Sequence, residues 1–462
     1  MQSNLELDPS IFRAYDVRGI VNKNLNDDVV YALGQAIGTL ALRANETTIA
    51  VGRDGRLSGN TLVKALCKGL MESGCNVIDI GVVATPILYF ATFNLPTRSG
   101  VMLTGSHNPP EYNGLKTVIA GKTLAEEDIQ ELYQLILKDE CSVGTGSLNT
   151  QDVVPEYFRT ILGDIHLSRK LKIVVDAGNG VAGRDAPELY RRLGCEVIPL
   201  FCEVDGNFPN HHPDPSQPEN LQDLIRAVSE HQADMGIAFD GDGDRLGIVT
   251  SSGEIIWPDR QLIVFAQDIL SYSPNATIIY DVKCTHHLIS TVTEAGGIPV
   301  MWKTGHSLIK AKLKETNAAL AGEMSGHIFF KDRWFGFDDA IYAGARMLEI
   351  LSKHTENSAD LFKNIPNSIN TPELKIYVEE TEKFSIMQNI VANANFANAE
   401  IITIDGLRAN FKEGGWGLIR PSNTTPCLVL RFEAETQVML ENIQSAFRTL
   451  LLSLHPNLVL PF

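Results

Sequence analysis

Lys172-Ile173-Val174-Val175-Asp176-Ala177-Gly178, then a helical stretch, then Gly194-Cys195-Glu196-Val197-Ile198, spells strand, turn, helix, glycine, strand. The glycine marks a helix end and the second apolar run returns as a strand, which is a βαβ unit. The same order stands at Thr48-Ile49-Ala50-Val51-Gly52-Arg53-Asp54 with Gly74-Cys75-Asn76-Val77-Ile78-Asp79-Ile80. It stands again at Thr277-Ile278-Ile279-Tyr280-Asp281 with Gly296-Gly297-Ile298-Pro299-Val300. Three copies predict three α/β domains of related topology, each with a mixed or parallel sheet.

Composition shifts divide the chain around these copies. Cys141 to Asp152 is rich in Ser, Gly, Thr and Asn, Ser251-Ser252-Gly253 reads as a turn, and Asn364 to Pro372 carries two prolines and three asparagines. The expected domains are residues 1–150, 151–253, 254–366 and 367–462. In the last, Glu400 to Ile404 reads as a strand, Leu407 to Phe411 and Gly417 to Ile419 as a hairpin around Gly414-Gly415, and Cys427 to Phe432 as a further strand. Met439, Ile443, Phe447, Leu450 and Leu454 recur at helical spacing and predict a closing amphipathic helix, making this unit α+β.

With 462 residues the chain exceeds one ordinary core. A formal net charge of −17 argues against a nucleic-acid or anionic-membrane partner. The seven cysteines, Cys67, Cys75, Cys141, Cys195, Cys202, Cys284 and Cys427, contain no Cys-x-x-Cys pair, a reduced pattern without a disulfide frame or zinc site. Met1-Gln2-Ser3-Asn4-Leu5-Glu6 has neither a basic region nor an apolar core, and no apolar run nears the ~18 residues of a membrane span. The expectation is a cytoplasmic protein.

Several loops carry candidate chemistry. Thr104-Gly105-Ser106-His107-Asn108-Pro109 follows the short buried strand Ser99-Gly100-Val101-Met102-Leu103 and places an exposed hydroxyl on a turn. It is not a Gly-x-Ser-x-Gly elbow, and alone it could be a structural turn. Downstream, Asn113-Gly114-Leu115-Lys116 reads as a second turn, delivering a lysine that could hold a phosphoryl oxygen, or accept a proton if its pKa is lowered.

Asp240-Gly241-Asp242-Gly243-Asp244-Arg245 follows the apolar run Met235 to Phe239. Three carboxylates at alternate positions, separated by glycines, can converge on one hard divalent cation, most simply Mg²⁺. An EF-hand is excluded, because Arg245 stands where its sixth position requires Gly and Ser251 where its twelfth requires Glu. Gly322-Glu323-Met324-Ser325-Gly326-His327 offers acceptors and donors suited to sugar hydroxyls. Arg420-Pro421-Ser422-Asn423-Thr424-Thr425, placed between two strands, combines a guanidinium, hydroxyls, an amide and turn N–H groups, a set that suits a phosphate dianion. Arg13-Ala14-Tyr15-Asp16-Val17-Arg18-Gly19, Asp281-Val282-Lys283 and Lys303-Thr304-Gly305-His306 add cations at strand ends.

Together these loops resemble the α-D-phosphohexomutase family, in its phosphomannomutase/phosphoglucomutase branch, over nearly the whole chain. The resemblance implies three α/β domains and one TATA-box-binding-protein-like domain around a central cleft. It implies that Ser106 carries a phosphoryl group, that Mg²⁺ is held by Asp240, Asp242 and Asp244 with the Ser106 phosphate, and that Glu323, Ser325 and His327 read the sugar. Arg420, Ser422, Asn423 and Thr424 would grip the substrate phosphate, with Tyr15, Lys283 and His306 also facing substrate. His107, Lys116, Arg18 and Arg245 would complete the catalytic set; Lys116 and His327 are candidate bases, and His107 a group that could orient the phosphoserine. Gly105 and Met324 favour this branch, since phosphoglucosamine mutases resemble the chain but usually have Ala and Gln there. The implied activity interconverts hexose 1- and 6-phosphates of mannose and glucose through a hexose 1,6-bisphosphate, which also serves as activator. Its partners are phosphosugars and the protein is expected to be a monomer. Rival readings are a phosphoglucosamine mutase, a metal-dependent sugar phosphatase and a non-enzymatic phosphosugar-binding protein.

Overall fold

The computed structural model describes residues 5–379, 381–423 and 425–462. Thr424, placed among the phosphate ligands above, lies outside the described residues.

The three sequence copies fold alike. In each, a first strand pairs in parallel with a second on one side and a third on the other, and a fourth strand pairs antiparallel beyond the third. These strands are Thr48–Arg53, Asn76–Val82, Gly100–Leu103 and Tyr112–Ile119 in the first unit. They are Lys172–Asp176, Glu196–Leu200, Met235–Phe239 and Leu246–Thr250 in the second. They are Thr277–Asp281, Ile298–Trp302, Leu320–Gly322 and Ile328–Phe330 in the third. The loop between third and fourth strands is the serine loop, the Asp loop and the Glu-x-Ser-Gly-His loop respectively. One topological position therefore supplies three of these loops, each at the carboxyl end of a parallel strand, where open α/β sheets place their ligands.

Both faces of these sheets are covered, so the strands read as unbroken apolar runs. The two-residue period sorts their side chains. Ile49, Val51, Val77 and Val101 face a core of their own beneath helices Asp27–Arg43 and Gly59–Ser73. Ala50, Ile78 and Met102 face the other way, into a core shared with Ile173, Val175 and Ile237 of the second unit and Ile278, Tyr280 and Leu320 of the third. The last unit has a separate core. Its sheet is antiparallel, in the order Ile369–Asn370, Cys427–Ala434, Gly415–Pro421, Leu407–Phe411, Ala399–Ile402, with Leu374–Tyr377 also on Cys427–Ala434. Helices Lys383–Asn393 and Gln437–Leu454 pack on it.

Several segments differ from the sequence reading. The polar stretch after Cys141 contains Leu148–Thr150, which joins the first sheet in parallel beside Asn76–Val82. Ser251-Ser252-Gly253 turns a hairpin inside the second sheet, because Ile255–Ile256 pairs back on Leu246–Thr250. The Asn364 to Pro372 stretch already holds a strand of the last sheet. Lys116 sits within a strand opposite Met102, not on a turn. Arg420 is likewise in a strand, paired with Val429, so the hairpin arm runs to Pro421. Ser251-Ser252-Gly253 does form the turn expected, while at the other segments cross-strand pairing overrides local turn propensity. No helix among the described residues is long and apolar enough to cross a membrane.

Candidate active site

The serine loop is tied down from beneath. The Arg56 side chain is fully buried. Its guanidinium donates to the carbonyls of Ser106 at 2.8 Å, Asn108 at 2.6 Å, Pro109 at 2.6 Å and Tyr112 at 2.9 Å, and to Asp54 Oδ2 at 3.2 Å. Asp54 Oδ2 also accepts from the Gly105 N–H at 3.2 Å and from Thr104 Oγ1 at 2.8 Å, and Thr104 Oγ1 accepts the Ser106 N–H at 2.8 Å. Gly105 is required by this packing: a Cβ there would stand 2.4 Å from Arg56 Cζ. Held this way, Ser106 adopts φ +48°, a left-handed conformation that a non-glycine residue keeps only when its surroundings impose it.

Ser106 is 1% exposed, which corrects the expectation of an exposed hydroxyl. The reason is the Asp loop of the second unit, which closes over it. Gly241 approaches so nearly that a Cβ would lie 2.4 Å from the Ser106 carbonyl oxygen. Ser106 Oγ donates to Asp240 Oδ2 at 3.1 Å and stands 3.1 Å from His107 Nδ1.

Asp240, Asp242 and Asp244 are fully buried, and each offers an oxygen within 4.8 Å of the others'. Asp240 Oδ1 accepts the backbone N–H groups of Gly243, Asp244 and Arg245 at 3.0, 3.1 and 3.2 Å, which curls the loop and leaves Oδ2 facing Ser106. Asp242 Oδ2 accepts from Thr85 Oγ1 at 2.6 Å and Lys116 Nζ at 2.8 Å; Lys116 also donates to Asp244 Oδ2. Asp242 Oδ1 is buried without a hydrogen-bond partner, and Asp244 Oδ1 has only the His327 ring near it, at 3.3 Å. Burial, then the charges of Asp242 and Asp244, push the Asp240 carboxyl well above its ordinary range. An orphaned carboxylate oxygen and mutual repulsion both call for a divalent cation, and an all-oxygen set suits a hard one.

The flanking groups arrange around this centre. Burial opposes charge on Lys116, but Asp242 and Asp244 outweigh it and raise its pKa, so the lysine is held as a cation. Arg245 lies 3.9 Å from Asp240 Oδ2. Arg18 pairs with Asp16 and donates to the Asn108 side chain, and so holds the serine loop two residues beyond Ser106. Burial, then Arg245, Arg18 and Lys116, lower the His107 pKa well below its usual value, leaving a neutral ring beside Ser106. His327 Nε2 lies 3.3 Å from Asp244 Oδ1 and Nδ1 lies 3.1 Å from Glu323 Oε2. Burial opposes its charge, but Asp244 and Glu323 raise the imidazole to about 9.

The third unit continues the wall. Glu323 accepts the Gly305 N–H at 2.6 Å, and Ser325 Oγ stands 2.9 Å from His327 Nδ1. His306 stacks on His327, ring centroids 5.6 Å apart, and meets Tyr15 edge-on at 5.2 Å. Farther along, the last unit brings a second cluster. Asp405 Oδ2 accepts from Arg420 Nε at 2.9 Å and from the Thr304 N–H at 2.9 Å. Arg420 Nη2 is buried without a hydrogen-bond partner. Asn423 Nδ2 lies 3.5 Å from the Thr304 carbonyl, Ser422 Oγ is 2.8 Å from Thr425 Oγ1, and Lys283 pairs with Glu373.

Ser106, His107, Lys116, Arg245, His327 and the three Asp thus share one centre, while Lys283, Arg420, Ser422 and Asn423 form another at the last unit. Sequence reasoning missed Arg56, Thr85 and Asp405, and assigned no role to Thr104, which it quoted only as the first residue of the serine loop. Asp54 left a trace as the residue that closes the first repeat; Asp281, its counterpart in the third unit, likewise accepts a loop N–H, from Met324 at 3.3 Å.

Comparison with known proteins places these features in context. Family models described as phosphoglucomutase/phosphomannomutase domains I, II, III and C-terminal match residues 9–142, 155–253, 257–369 and 373–450. A phosphomannomutase/phosphoglucomutase of Pseudomonas aeruginosa is 56% identical over 99% of this chain and 98% of its own length. A phosphoglucomutase of Neisseria meningitidis is 54% identical over 98% of each. A crystal structure of a phosphoglucomutase/phosphomannomutase family protein from Burkholderia thailandensis superimposes with a TM-score of 0.95 at 51% identity, covering 99% of this chain and 100% of that one.

Proposed function

Since the chain belongs to the phosphoglucomutase/phosphomannomutase family over all four of its domains, we propose that it interconverts the 1- and 6-phosphates of glucose and mannose through a phosphoryl group carried on Ser106. The observation that carries this reading is Ser106 Oγ lying 3.1 Å from Asp240 Oδ2, inside a buried trio of carboxylates with an orphaned oxygen.

Asp240, Asp242 and Asp244, with an oxygen of phosphorylated Ser106, would hold Mg²⁺, which when bound offsets charge on the transferring phosphoryl group. Arg18, Lys116 and Arg245 stabilise the remaining negative charge electrostatically. Neutral His107 hydrogen-bonds at the serine and orients it. Arg420, Ser422, Asn423 and Thr424, with Lys283, grip the phosphate already on the sugar. That leaves the distal hydroxyl to attack the phosphoserine, so a hexose 1-phosphate becomes a hexose 1,6-bisphosphate. Its attacking hydroxyl must lose a proton. Lys116 and His327 are the candidate bases; both are held as cations beside Asp244, so either must first give up its own proton before it can accept this one. The bisphosphate then turns end over end, the same pocket takes the other phosphate, and Ser106 recovers a phosphoryl group. Glu323 and Ser325, facing O3 and O4, make contacts that survive the turn because those hydroxyls exchange places. Tyr15 and His306 wall the sugar, and bisphosphate serves as activator.

The test is a coupled assay with glucose 1-phosphate, mannose 1-phosphate and glucosamine 1-phosphate, each with trace glucose 1,6-bisphosphate. The reading expects turnover of the first two, poor turnover of the third and no accumulation of inorganic phosphate. Phosphate released in step with substrate loss would replace the mutase by a phosphatase.

A further inference from the structure

We propose that His286, His287 and Glu435, with Glu433 behind His286, form a second metal site, for a borderline transition-metal ion of the Zn²⁺ class, bridging the third and last units. His286 and His287 stand at the start of helix His287–Glu294 in the third unit, and Glu433 and Glu435 at the end of strand Cys427–Ala434 in the last. His286, His287 and Glu433 bring ligand atoms within 4.8 Å of one another. Glu435 Oε1 lies 3.1 Å from His286 Nε2 and 3.6 Å from His287 Nε2. Donors on a tetrahedral zinc with bonds of 2.0–2.1 Å stand about 3.3 Å apart, so these contacts match its edges.

The supporting contacts have the form that metal-ligating histidines use. His286 Nδ1 lies 2.8 Å from Glu433 Oε1, which also accepts from Thr285 Oγ1 at 2.7 Å. A carboxylate on the far nitrogen fixes the ring and turns Nε2 toward Glu435. The two rings lie side by side, centroids 4.2 Å apart. His287 Nε2 also hydrogen-bonds Ser368 Oγ, on the segment joining the two units, and a bound ion would replace that bond. The His286, His287 and Glu435 side chains are 28%, 14% and 49% exposed, so an ion can enter. Mixed imidazole and carboxylate donors discriminate against Mg²⁺, which prefers the all-oxygen trio of the catalytic centre. None of these residues faces that centre, and an ion here would fasten the last unit to the third.

The experiment titrates the full-length protein, in saturating Mg²⁺, with Co²⁺ as the probe and Zn²⁺ as competitor. The wild type should take up one equivalent of Co²⁺ with the intense visible absorption of a tetrahedral site, displaced by Zn²⁺. His287→Asn and Glu435→Gln, both at partly exposed positions, remove a direct ligand and should weaken binding by more than the roughly 10- to 100-fold that loss of an outer-shell partner costs. Asp242→Asn, which disables only the catalytic trio, should keep the signal. Absence of a tetrahedral spectrum in the wild type would overturn the site. So would its persistence at full affinity in both His287→Asn and Glu435→Gln, or its loss in Asp242→Asn.

Discussion

Arg56 decides where Ser106 points. Five donors of one guanidinium engage four loop carbonyls and Asp54 with no exposed surface, so no shorter or singly donating side chain replaces it. Arg56→Lys is expected to lower kcat by about 100-fold with KM changed less than threefold, the pattern of a lost transition-state interaction. Steady-state kinetics beside a melting curve check this; a KM effect with kcat intact would contradict it. Replacing Ser106 by Ala should abolish phosphoryl exchange while the melting temperature stays within a few degrees. At this scale the sequence was informative where chemistry is carried by unusual residue sets, as at Asp240, Asp242 and Asp244. It was silent on Arg56, because one arginine after a strand looks like any solvated cation until four carbonyls are brought around it from 50 to 56 residues away.

The loop between third and fourth strands is the working element of each α/β unit. Gly105 belongs to that element, and Gly105→Ala would force the Arg56 guanidinium aside. A loss of roughly tenfold in kcat/KM, about 1.4 kcal/mol of barrier, is expected for both sugar phosphates alike. Unequal losses would show that Gly105 acts on the sugar and not on the serine. Strands were legible because buried parallel sheets leave apolar runs, and the three repeats followed from them. Leu148–Thr150 and the strand positions of Lys116 and Arg420 were not, since pairing partners distant in sequence, rather than local pattern, make those residues extended.

Across the molecule, one shared core unites three units while the last keeps its own, and a small apolar cluster of Val282, Trp416 and Leu418 together with polar contacts fastens it to the third. Glu433 is one such contact. Burial opposes its ionisation, but the hydrogen bond from His286, the Arg431 charge and the Thr285 hydroxyl outweigh burial and hold it at about 2. A carboxyl depressed in the folded state contributes stability above its ordinary value of 4.5, and loses it as pH falls from there toward 2. Wild-type protein should therefore lose on the order of 1–3 kcal/mol over that window that Glu433→Gln does not lose. Parallel acid-denaturation profiles of the two proteins would refute the fastening. Which contacts fasten the last unit was not legible in sequence, because His286 and Glu433 are 147 residues apart and each alone reads as an ordinary solvated side chain.

The central claim is that Ser106 carries the phosphoryl group between sugar positions. The direct measurement loads the protein from ³²P-labelled glucose 1,6-bisphosphate, maps the label, and chases with unlabelled mannose 1-phosphate. Label is expected on the peptide containing Ser106, transferred on chase into hexose phosphate and not into inorganic phosphate. Label on another residue, or chased into free phosphate, would contradict it.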